Sequence, residues 1–98
     1  MREQILVLIF DDIADTREHL TKLLSFESDI EVAGAASSGE EAVDMAGKLQ
    51  PDILLMDINM PGMDGIATTE RISATYPLTS IIMMSVQGEA DYLRRSML

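Results

Sequence analysis

Cysteine is absent, so neither a disulfide framework nor a thiolate metal site organises this chain. No apolar run approaches the roughly eighteen residues of a membrane span. The opening Met1-Arg2-Glu3-Gln4 leads into a short strand-like run with no small-residue cleavage site, so this stretch is not expected to be a signal peptide. Bases are scarce, with 7 Lys and Arg against 17 Asp and Glu, and the net charge of −10 opposes direct contact with nucleic acid or an anionic membrane. Repeats, low-complexity stretches and linkers are lacking too. What remains is 98 residues that are 47% hydrophobic, which reads as one soluble, cytoplasmic domain spanning 1–98.

Within it the hydrophobic period switches back and forth. Ile5 to Phe10 is a buried strand, followed by a helical stripe of Ile13, Leu20, Leu23 and Leu24 with Arg17, Glu18 and Lys22 on the wet side. Ile30, Val32 and Gly34 alternate with Glu31, Ala33 and Ala35, as in an edge strand. Ser37-Ser38-Gly39 turns into a helix bearing Ala42, Val43, Ala46 and Leu49, which Pro51 ends. Ile53 to Met56 is the third strand, and Met60 to Gly65 is a loop. A helix with Ile66, Thr69 and Ile72, a strand over Ser80 to Met84 and a helix from Gly88 onward complete the chain. Strands alternating with helices require a parallel sheet with right-handed crossovers. The expected fold is a three-layer, doubly wound α/β sheet of flavodoxin-like type, in the order 2-1-3-4.

That order sets Asp11-Asp12 and Asp57 at the carboxyl ends of adjacent strands, where such sheets bind ligands. Like charges ~4 Å apart repel by ~4 kcal/mol at an effective dielectric of ~20, so a cation or a proton must compensate. An all-oxygen set suits Mg²⁺ (or Mn²⁺). Ser85, ending the fourth strand, has a hydroxyl to offer the same crevice, and Pro61 and Gly65 shape a loop whose Asn59 carbonyl reaches toward a metal.

Asp11-Asp12, Asp57 followed by Met60-Pro61-x-Met63-Asp64-Gly65, and Ser85 together resemble a receiver domain of bacterial two-component signalling, from Ile5 to the end of the chain. The resemblance implies that Asp57 is the phosphoacceptor, taking its phosphoryl group from a sensor histidine kinase or a small phosphodonor. It implies that Asp12 ligates Mg²⁺ directly, Asp11 mainly through water, and Asn59 through its carbonyl. Ser85 would sense the phosphoryl group, while Asn59 and Gln87 would tune its lifetime. By the same resemblance the module is not an enzyme beyond assisting its own phosphorylation and dephosphorylation. The segment Val86 to Arg95 is similar to receivers joined to a MinD-like ATPase of pilus-assembly type.

The family's fifth strand, with its terminal Lys, has no counterpart here. The only lysines are Lys22 and Lys48, neither at a strand end. The expectation is a C-terminally incomplete receiver in which phosphorylation or its readout is impaired. A bare apolar fourth strand then invites a homodimer through strand four and helix four. The alternative function is a non-catalytic association module on the receiver scaffold, with any output domain outside this chain.

Overall fold

A computed structural model describes residues 4–57 and 64–84. Strands β1 (Ile5–Phe10), β2 (Ile30–Ala36), β3 (Ile53–Asp57) and β4 (Ser80–Met84) form one parallel sheet in the order β2-β1-β3-β4. Between them run helices α1 (Ala14–Ser25), α2 (Gly39–Leu49) and α3 (Asp64–Thr75). The expected α/β sheet and its order hold. Among the described residues no helix is long and apolar enough to cross a membrane.

The pleat sends alternate side chains to opposite faces, and each face builds its own core. Leu8, Phe10, Leu54 and Met56 pack with Ala42 and Ala46 of α2 and Ile72 of α3. On the other face Val7 and Ile9 pack with Leu20 of α1, flanked by Leu24, Val32 and Leu55. β1 is the best buried strand, as its central place requires, and Leu8 and Ile9 are inaccessible to solvent.

Several local readings need correction. The simple alternation of β2 breaks at a bulge. Val7 pairs Val32 but Leu8 pairs Gly34, leaving Ala33 as the extra residue, so Val32 and Gly34 do not share a face. Gly34 instead meets Leu49 and Met45 of α2, where an added Cβ would lie 3.1 Å from the Leu49 Cδ1. In α1 the buried positions are Thr16 and Leu20, whereas Ile13 is the exposed N-cap and Leu23 is half exposed. In α3 Ile72 is buried as expected, but Ile66 faces solvent and Thr68 joins Thr69 inside. Gly65, expected in the loop, is a buried residue of the first turn of α3.

Helix α2 shows its stop and start signals plainly. The Ser38 Oγ accepts from the Glu41 N–H at 3.2 Å, and the Glu41 carboxylate accepts from the Ser37 N–H at 2.6 Å. At the other end Gln50 takes the left-handed conformation (φ 48°) and donates its N–H to the Ala46 carbonyl, ahead of Pro51. Asp52 then knits the start of the sheet together. Its carboxylate accepts from the Leu6 N–H at 2.8 Å, its N–H donates to the Leu6 carbonyl, and its own carbonyl accepts from the Ser80 N–H.

Candidate functional site

β1 and β3 run side by side with Phe10 opposite Met56, so Asp11 and Asp57 stand next to each other at the carboxyl end of the sheet. Both are buried, Asp11 at 1% exposure and Asp57 at 3%. Across β3, Asp57 lies opposite Met84, the last described residue of β4. Asp12 is exposed, one residue beyond the strand.

Asp11 is held at nearly every polar group it has. Its N–H donates to the Ala36 carbonyl at 3.1 Å, which extends the β1–β2 ladder by one bond. Its carbonyl accepts from the Arg17 guanidinium at 2.8 Å, and its Oδ1 accepts from the Ile13 N–H at 2.8 Å. Only Oδ2, fully buried, has no hydrogen-bond partner among the described residues. Burial pushes the Asp11 carboxyl above the ordinary carboxylate range; the Ile13 N–H opposes this, the charges of Asp57 and Asp12 add to it, and Arg17 offsets part.

A buried carboxylate oxygen without a donor, beside a second buried acid, fits a cation. Among the described residues no three acidic or histidine side chains come close enough to cage a metal by themselves. Mg²⁺ needs no such cage, because one or two carboxylates suffice when waters and a phosphate complete its octahedron. Of the site residues expected from sequence, the structure brings Asp11 and Asp57 together and leaves Asp12 at the rim. Gly65 lies in α3, while Asn59, Pro61, Ser85 and Gln87, with the segment from Val86 and the helix from Gly88, lie outside the described residues.

Sequence reasoning missed Arg17, placing it on the wet side of α1. The structure shows it half-buried and bonded to the backbone of the first acid. Its signal was its position, since helical side chains lean toward the N-terminus and a long one at the fourth helical residue reaches back over the first turn.

The family model described as "Response regulator receiver domain" matches residues 7–97. The chain belongs to that family. A protein-glutamate methylesterase/protein-glutamine glutaminase of Geobacter metallireducens is 44% identical over 85 residues, covering 87% of this chain and 24% of that protein. One of the same name from Methanospirillum hungatei is 45% identical over 84 residues, covering 86% and 24%. The crystal structure of the response regulator domain of Thermotoga maritima CheB superimposes with a TM-score of 0.75 at 38% identity, covering 85% of this chain and 61% of that one.

This receiver therefore spans about a quarter of the curated relatives it matches. They correct the expectation of a non-enzyme, since several bear the name of an enzyme, protein-glutamate methylesterase. The similarity is to their receiver part. From 98 residues no sequence signal pointed to that association.

Proposed function

We propose that this receiver accepts a phosphoryl group on Asp57 in a Mg²⁺-dependent reaction, and that it governs a protein-glutamate methylesterase/glutaminase domain in its parent protein. The observation that carries the first half is the pairing of two buried acids, one with an orphaned oxygen. The second half rests on the names of the relatives. Since the chain covers only a quarter of them, the missing strand-five Lys says nothing about the parent's readout.

An oxygen of Asp57 attacks phosphorus in line while the P–N bond of a phosphohistidine, or the P–O bond of a small acyl phosphate, breaks. The electron pair leaves with the imidazole nitrogen or the acyl oxygen. Asp11, Asp12, Asp57 and the Asn59 carbonyl would hold Mg²⁺, which when bound would neutralise the phosphoryl oxygens. The chain's own part is positioning. The β1–β3 ladder fixes the spacing of Asp11 and Asp57, and the buried wall beneath them limits water. Ser85 is the hydroxyl assigned to sense the product.

The test is incubation with a small acyl phosphate and Mg²⁺ followed by intact mass spectrometry. One added phosphoryl group, lost in Asp57→Asn, is expected; an adduct that survives in Asp57→Asn refutes the assignment. A second reading, association through β4, is favoured by the exposure of Ile82 (45%) and Met83 (51%) on the outermost described strand. Sedimentation that shows only monomer at high concentration removes it.

A further inference from the structure

We infer that Arg17 is a positioning residue for the acid site, a clamp on the Asp11–Asp12 peptide that aims both carboxylates at a bound divalent cation. The inference rests on the Mg²⁺-dependent reading above. Its basis is geometric. A guanidinium whose charge acts on the Asp11 carboxylate would be expected to pair with it, yet Arg17 donates Nη1 to the backbone carbonyl of Asp11, at 2.8 Å. That carbonyl belongs to the planar unit that also contains the Asp12 nitrogen, so fixing its direction fixes where residue 12 begins. With the N–H of Asp11 tied to Ala36 and Oδ1 tied to Ile13, the Arg17 bond is the third constraint and, among the described residues, leaves Oδ2 alone unbonded.

The placement of Arg17 has a cost that this role explains. The first turns of a helix carry the positive end of its dipole, where a cation is disfavoured. Among the described residues Lys22 pairs with Glu18 and Lys48 with Asp44, both exposed i,i+4 pairs in later turns of their helices. Arg17 is instead anchored within α1 by its own N–H to the Ile13 carbonyl, and its carbonyl accepts from the Thr21 hydroxyl at 2.8 Å. Its backbone is thus fixed on the helix while its head is fixed on the strand end, as a brace requires.

Charge and clamp make opposite predictions, which makes the role testable. If Arg17 acted only through charge, neutralising it would remove a repulsion and tighten Mg²⁺ binding. If it aims the ligands, its loss weakens binding by about tenfold or more, the effect usual for a residue that orients metal ligands. The experiment is calorimetric titration of the 98-residue chain with Mg²⁺, for wild type, Arg17→Met and Arg17→Lys, with unfolding midpoints recorded alongside. Expected are about tenfold weaker binding in Arg17→Met, an intermediate value in Arg17→Lys, which keeps one charged donor nitrogen without the planar fork, and faster hydrogen exchange at the Ile13 amide. Arg17→Gln takes the place of Arg17→Met if the latter does not fold. Unchanged or tighter binding in the neutral variant overturns the clamp while leaving the reading of the site intact. A wild type that binds no Mg²⁺ overturns both.

Discussion

Replacing Asp11 by Asn should stabilise the metal-free protein at neutral pH. Asn is isosteric, and its amide oxygen can keep the 2.8 Å bond from the Ile13 N–H. The change falls on Oδ2, which is buried and without a partner, beside the buried Asp57. An NH₂ group there replaces a repulsive oxygen with a donor facing anionic neighbours. An unsatisfied buried polar group costs about 1–3 kcal/mol, and more when it is charged. For a domain of this size each kcal/mol moves the midpoint by about 4–8 °C, so a rise of at least ~5 °C is expected in EDTA at pH ~7.

The pH dependence follows from the direction of the shift. Asp11 is raised above 3.8, so the folded protein keeps its proton to higher pH than the unfolded chain. Stability from this group is full below 3.8 and is lost as pH rises through the folded value. The advantage of the Asp11→Asn variant must therefore be full at neutral pH and shrink toward zero as pH falls to 3.8. Mg²⁺ at ~100 times its dissociation constant should stabilise the wild type by ~2.7 kcal/mol, and the Asn variant far less. Differential scanning calorimetry at neutral and acidic pH, with and without Mg²⁺, reads all of these quantities. A variant no more stable than wild type in EDTA at neutral pH, or an advantage undiminished at low pH, refutes the reasoning.

Other substitutions probe the scaffold. Ile72→Ala removes a side chain of zero exposure from the core beneath α2 and α3 and should cost ~2–5 kcal/mol by urea unfolding. Ser38→Ala deletes the α2 cap and should cost ~1 kcal/mol by the same measure. Gly47→Ala would gain helix propensity, but its Cβ runs into the Tyr76 hydroxyl and ring, so a net loss of ~1–2 kcal/mol is expected, largely relieved in a Tyr76→Ala background.

The sheet was legible because its strands are written as unbroken apolar runs, Ile5 to Phe10 and Ile53 to Met56, and its edge as an alternation. Asp11 and Asp57 were legible because acids at the ends of two neighbouring apolar runs converge, whereas one alone would read as an ordinary loop acid. The bulge was not. Ala33-Gly34-Ala35-Ala36 offers four small residues with no contrast between faces, so nothing local fixes the register, and contact with α2 decides it. The α1 stripe was misread for a related reason, since α1, the one described helix over that face, buries only a narrow line through Thr16 and Leu20, and the apolar Leu23 beside it stays exposed. Arg17 was hidden because a basic residue on a helix ordinarily belongs to solvent.

Asp11 and Asp57 also suggest why such a site can signal. Burial, and the charge of Asp57 beside it, penalise the ionised Asp11 carboxylate. On the proposed reading a divalent cation at Oδ2 would relieve that penalty, and a phosphoryl group on Asp57 would then find a neutralised neighbour where it would otherwise meet a bare carboxylate. Cation and phosphoryl group would therefore favour each other's binding, and by linkage the coupling would be equal in both directions. Phosphorylated protein should accordingly bind Mg²⁺ more tightly than unmodified protein. Removing Mg²⁺ should in turn destabilise the phosphorylated fold more than the unphosphorylated one. Equal Mg²⁺ affinity in the two forms, measured by titration with a stable phosphoryl mimic on Asp57, would show that the two charges do not share one site.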